Sequence, residues 1–146
     1  KKEILKPFFK YGRSQGLNKF GIRLLTPTFS QKPNFLTVTE KDSLYCNGYG
    51  VHYNIDQNRI SLFDNLPIQN PENIDVLSKI LNSNVMDYYV KTTSVTIDGG
   101  YPCYQKNFIE LFTIPNFDIS DIEKLRGLDG KDFEDEIQRI YDINLE

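Results

Sequence analysis

The sequence has no tryptophan, one histidine, one methionine and two cysteines among its 146 residues. Each scarcity removes a class of function. His52 is the single imidazole, and it falls in a β-prone run without a cysteine or carboxylate spaced as a ligand partner, which disfavours a metal site or a Cys-His dyad. Cys46 and Cys103 are too few for a disulfide framework and lack the CxxC spacing, so both read as small thiols in a reducing cytosol. No stretch approaches the roughly 18 apolar residues of a membrane span, and no basic-then-apolar leader opens the chain. The expected setting is cytoplasmic, with no membrane partner. The first residue is Lys1 rather than Met, so the chain is expected to be a piece of a longer protein.

Catalytic motifs are equally scarce. Gly48-Tyr49-Gly50 has two glycines and precedes a strand, where a phosphate-cradling loop would precede a helix. Asp129-Gly130-Lys131, with Asp118, Asp121 and Glu123 upstream, echoes the acid–acid–lysine set of metal-dependent nucleases. Those acids fall in a helix and an interhelical loop, whereas such a site holds Mg²⁺ from adjacent strands. Asn70-Pro71-Glu72-Asn73 lacks the second proline and the aromatic of an amino-methyltransferase's base-holding motif, and reads as a helix cap. The chain is expected to have no catalytic residues and to bind no metal or other cofactor of its own.

What is present is aromatic and unevenly charged. Ten phenylalanines and nine tyrosines supply the bulk of a core. Residues 1–34 carry eight bases against one acid, whereas residues 118–146 carry ten acids against four bases. A basic end of this kind suits a polyanion, and Lys10, Arg13, Lys19, Arg23 and Lys32 are candidate phosphate contacts.

Periodicity predicts an α+β fold: a twisted antiparallel sheet, a broken helix packed on it, and a C-terminal helical pair. Ile4–Lys10 suggests a short helix, Phe20–Leu25 a strand stopped by Thr26-Pro27, and Phe35–Thr39 a second strand. Leu44–Asn47 is β-prone, and Val51–Phe63 reads as a hairpin separated from it by Gly48-Tyr49-Gly50. Asn70-Pro71 opens a helix whose apolar stripe is Ile74, Leu77, Leu81, Val85 and Tyr88, with a break at Asn82-Ser83-Asn84 and Ser83 as the second cap. Thr92–Ile97 should be extended, Gly99-Gly100 a backbone bend, Tyr101–Gln105 a strand and Asn107–Leu111 one helical turn. Ser120 is expected to cap Asp121–Leu125, and Asp132–Asp142 to form a last helix with Phe133, Ile137, Ile140 and Tyr141 on one side. Residues 1–117 are expected to form the main domain and 118–146 an accessory pair of helices.

An ordered series runs through the middle of the chain: Leu81-Asn82-Ser83, Met86-Asp87-Tyr88-Tyr89, Thr93-Ser94, Gly99-Gly100-Tyr101, Tyr104, Phe108-Ile109-Glu110 and Ile114-Pro115. It resembles the C-terminal specificity domain of TaqI-like adenine-N6 DNA methyltransferases and fused type II restriction–modification enzymes. Leu5-Lys6-Pro7-Phe8, Tyr11-Gly12-Arg13, Thr26-Pro27-Thr28-Phe29, Pro33-Asn34-Phe35 and Asn47-Gly48-Tyr49 match that pattern upstream. Glu136-Ile137 to Ile140-Tyr141-Asp142 resembles the closing helix, although a glycine often follows the tyrosine where Asp142 stands here. The resemblance implies a target-recognition domain for duplex DNA, joined to an N-terminal methyltransferase catalytic domain. S-adenosylmethionine would belong to that parent enzyme, as would Mg²⁺ if the parent also cleaves.

Within that reading, Asn47, Tyr49, Thr93, Ser94, Tyr101, Tyr104, Gln105 and Lys106 are the candidate base readers, since amides, hydroxyls and a lysine can pair with base edges. Gly99 and Gly100 would supply the bend beside the groove. The alternative is a protein–protein interaction module that docks other subunits through its acidic helical tail.

Overall fold

A computed structural model describes residues 22–39, 48–52, 66–97 and 99–145. The expected helix at Ile4–Lys10, the strand at Leu44–Asn47 and most of the hairpin expected at Val51–Phe63 lie outside the described residues.

The fold is α+β. Strands β1 (Arg23–Pro27), β2 (Leu36–Val38) and β3 (Gly48–His52) form an antiparallel sheet in the order β2-β1-β3. Strands β4 (Thr96–Ile97) and β5 (Tyr101–Pro102) make a separate antiparallel pair. Gly48-Tyr49-Gly50 was expected to separate two strands and instead belongs to β3, paired with Leu25, Thr26 and Pro27. The physical reason is close approach: a Cβ on Gly48 would lie 2.5 Å from the Thr26 carbonyl oxygen. Glycine there lets the two strands meet.

The broken helix is as expected in outline. Asn70 accepts a hydrogen bond from the Glu72 amide, but it caps a 3-10 turn (Pro71–Asn73) that precedes α1 (Ile74–Leu81). Helix α2 (Asn84–Thr93) begins after the break, with the Ser83 hydroxyl accepting from the Met86 amide at 3.3 Å. The break resets the phase of the apolar stripe. Val76, Leu77, Ile80 and Leu81 of α1 are buried, then Val85, Met86 and Val90 of α2, while Tyr88 faces out at 50% exposure. An uninterrupted helical count had placed Tyr88 inside.

Asn82, at the break, binds the sheet to the helices. Its Oδ1 accepts from the Phe35 amide at 2.8 Å, and its Nδ2 donates to the Phe35 carbonyl at 2.9 Å and to the Ser78 carbonyl at 2.9 Å. One side chain thus satisfies both backbone groups of a buried residue immediately before β2. Ser78 adds a third tie by donating from its hydroxyl to the same carbonyl.

Helix α2 also runs further than its sequence suggested. Thr92 and Thr93 are β-branched, yet both are helical, with their hydroxyls donating back to carbonyls of Tyr88 and Tyr89. Packing of the preceding turns overrides their weak helix propensity. A single turn, α3 (Lys106–Ile109), follows β5.

Helices α4 (Ile119–Gly127) and α5 (Gly130–Ile140) pack on α1 and α2 respectively. Asp118, two residues before the expected Ser120, is the N-cap of α4: its carboxylate accepts from the Asp121 amide and the Asp121 carboxylate accepts from its own. The tail shares the core of the rest of the chain, since Ile122, Leu125, Phe133 and Ile137 belong to the same buried cluster as Leu24, Phe35 and Met86. Polar contacts reinforce the joint. Lys79 of α1 donates to the carbonyls of Arg126 and Leu128 at the end of α4 and to Asp129 Oδ1, at 3.0, 2.8 and 2.7 Å. Arg126 reaches back to Asp75 and Asn73, and its hydrogen bond holds the Asp75 carboxyl below the usual carboxylate range.

The end of α5 is closed by backbone hydrogen bonds around Asp142. The Ile143 amide donates to the Gln138 carbonyl and the Asp142 amide to the Arg139 carbonyl, which is the hydrogen-bond pattern of a Schellman motif. Asp142 occupies its left-handed position with φ 52°. Glycine suits that position because an L side chain is strained there.

Two stability outcomes follow from these contacts. Asn82→Ala should destabilise the chain by about 2–3 kcal/mol in a urea melt, because it leaves the buried Phe35 amide and carbonyl short of partners. Asp142→Gly should instead stabilise it by about 1 kcal/mol, measured the same way, by removing left-handed strain.

Candidate functional site

Among the described residues, most of the candidate base readers lie on the β4–β5 hairpin and the residues on either side. Its turn is closed by the Gly100 amide donating to the Ile97 carbonyl at 3.0 Å. Gly99 and Gly100 both have positive φ, 93° and 77°, so the expected bend is present and both positions favour glycine. The Tyr101 ring folds back over the turn: a Cβ on Gly99 would lie 3.2 Å from its Cε2.

Each strand of this ribbon is tied down at its base. Ser94 ends α2, and its hydroxyl accepts from the Cys103 amide at 3.2 Å, while the same amide donates to the Val95 carbonyl at 3.1 Å. On the other side the chain runs beside residues 28–30. Phe29 bridges Cys103, the Ser30 amide donates to the Pro102 carbonyl, and the Tyr104 amide donates to the Thr28 carbonyl at 2.7 Å. The hairpin is therefore extended by a third segment and coupled to the end of β1.

The two faces of the ribbon differ. Pro102 and Tyr104 are buried, Tyr104 at 0% exposure with its ring edge-on to Phe35 at a centroid separation of 6.2 Å. Ile97 and Tyr101, directly paired across the strands, are exposed at 41% and 38%. Val95 and Phe29 are exposed as well. Val95, Ile97, Tyr101 and Phe29 thus expose apolar surface along this ribbon.

The candidate base readers separate accordingly. Tyr101 and Lys106 are exposed, and Gln105 is half-buried as the residue that opens α3, its carbonyl accepting from the amides of Phe108 and Ile109. Thr93 is exposed with its hydroxyl turned to the Tyr89 carbonyl, and Ser94 holds the hairpin base. Tyr49 lies half-buried in β3, apart in sequence from the hairpin, and Asn47 lies outside the described residues.

Two expectations are corrected. Tyr104 is a core residue, so its ring does not reach a base edge; the chain enters the core from Pro102 onward, with Cys103 buried beside it. Burial, and secondarily the nearby Asp87 charge, push its phenol well above the ordinary tyrosine range. Arg23, expected at phosphate, is only 1% exposed within β1. Of the other candidate phosphate contacts, Lys32 is exposed, while Lys10, Arg13 and Lys19 lie outside the described residues.

Val95, Ile97 and Phe29 were not singled out from the sequence. Thr92–Ile97 reads only as β-branched and extended, which does not say how much of it is turned to solvent; Val95, Thr96 and Ile97 all are. Among the described residues there is no cluster of three or more His, Cys, Asp or Glu able to hold a metal ion, and no helix is long and apolar enough to cross a membrane. Comparison with family models, curated proteins and solved structures finds no match to the chain.

Among the described residues, the buried Tyr104 hydroxyl has no hydrogen-bond partner. Tyr104→Phe should therefore leave stability unchanged or raise it by up to about 1 kcal/mol in a thermal melt, because the change removes an unsatisfied polar group. A loss above that size would show that the hydroxyl has a partner essential to the fold.

Proposed function

We propose that this chain is a sequence-specific duplex DNA recognition domain, serving an adenine-N6 methyltransferase of a restriction–modification system. The observation that carries the reading is the hairpin with its glycine turn and exposed Tyr101, followed in the chain by half-buried Gln105 and exposed Lys106. A two-stranded ribbon has the dimensions to enter the major groove, where a glutamine amide can pair with adenine and a lysine with guanine. The ordered resemblance across residues 81–115 supports the same reading. So does the basic end of the sequence, whose lysines and arginine can neutralise phosphates and release counterions.

On this reading the chain itself makes no bond. Phosphate contacts set its register, the hairpin reads base edges, and a catalytic domain on the N-terminal side performs the transfer with S-adenosylmethionine. The rival reading, docking through the acidic tail, has less to draw on. The apolar residues Phe133 and Ile137 of α5 are already buried in the chain's own core. Three of the four bases there are held in ion pairs, Lys124 and Arg139 with Glu136 and Arg126 with Asp75. An interface needs buried anchors beyond a solvated acidic surface.

The test is binding to a randomised duplex pool at several salt concentrations, followed by sequencing of the retained DNA. The expected log–log salt slope is roughly −3 to −4, for about four phosphate contacts. Gln105→Ala and Lys106→Ala should relax selectivity at one or two base positions, while Lys10→Ala or Arg13→Ala should weaken all sequences alike. Absence of salt-sensitive binding near 50 mM salt would reject the reading.

A further inference from the structure

We infer that the hairpin reads thymine through its 5-methyl group, with Ile97 and Tyr101 as the contact residues; this rests on the DNA-recognition reading above. Ile97 and Tyr101 are opposite one another in the antiparallel register, so their side chains share one face of the ribbon. Both are turned to solvent near the glycine turn, whereas Pro102, Cys103 and Tyr104 beyond them are buried. Both side chains are more than one-third exposed although they are large and apolar. Phe29, which bridges Cys103 beside them, continues the surface.

Charge selects the occupant. The described residues of the three segments that make this surface, 28–32, 94–97 and 99–106, contain two lysines, Lys32 and Lys106, and no acid. Asp98, between the second and third segments in the sequence, is the one carboxylate of the stretch. Lys106 meets Glu110 at 3.3 Å, but at 75% side-chain exposure this pair is readily exchanged for a phosphate. Exposed apolar side chains on segments that carry lysines and no described acid suit the major groove of a duplex, where phosphates border the bases and the thymine methyl is the one apolar group on a base edge. The aliphatic side chain of Ile97 has no donor or acceptor with which to read any other base feature.

Removing that methyl alone is a direct test. The preferred duplex, selected from the random pool, is resynthesised with deoxyuridine in place of each thymine in turn, and binding of the chain is measured. One or two positions should bind about fourfold more weakly, the effect of exposing one methyl-sized group. Ile97→Ala should weaken binding to the thymine duplex by about the same factor and abolish the distinction between thymine and uracil, with the salt slope unchanged. A thermal melt checks that the variant is folded, and the deoxyuridine series on the unaltered chain needs no variant. Equal binding of every deoxyuridine duplex, with base preference and salt dependence intact, overturns this inference and leaves the DNA reading standing; the apolar face would then cover a protein surface. No binding to any duplex overturns both.

Discussion

The two hydrogen bonds between the Asn82 amide and the backbone of Phe35 are the joint on which the rest of the structure depends. Asn82 can reach Phe35 only because the helix stops there. The stop is stabilised by Ser83, whose hydroxyl both donates to the Ile80 carbonyl and accepts from the Met86 amide. With the helix broken, α1 and α2 present different faces to the same core: α1 meets β2 and α4, and α2 meets α3 and α5. A continuous helix would keep one stripe and lose either the sheet or the tail.

That joint also sets the hairpin. Phe35 is anchored by Asn82 and meets Tyr104 edge-on, and Tyr104 is the buried residue that ends the ribbon. From there the chain passes through Cys103 and Pro102 to the glycine turn. Residues 28–30 lie on the other side of the same segment, directly after β1. Ile97 and Tyr101 stand at the exposed end of this ribbon, beside the glycine turn. The proposed recognition would use the surface side chains that this arrangement holds.

Much of this was legible in the sequence. The Asn82-Ser83 break, the cap at Ser83 and the bend at Gly99-Gly100 depend on local chemistry, since each needs a residue type whose own backbone or side chain does the work. The inward face of α5 through Phe133 and Ile137 followed from spacing alone. What sequence missed was non-local. Gly48 looked like punctuation because its reason, the Thr26 carbonyl, lies across the sheet. Thr92 and Thr93 looked extended because propensity does not register the packing of the turns before them. Tyr104 and Tyr101 have similar side chains three residues apart, and only the packing of residues 102–104 against the rest of the chain sends the first to the core and leaves the second at the surface. Asp142 fits the left-handed end of α5 less well than glycine, yet the hydrogen bonds around it form regardless.

The central claim is that the hairpin face is where this chain meets duplex DNA. Amide hydrogen exchange with and without a selected duplex tests it most directly, since every backbone position reports at once. The account predicts new protection concentrated in residues 28–32 and 94–106, with α4 and α5 unchanged. Protection centred on α4 and α5, with the hairpin indifferent to DNA, would contradict it.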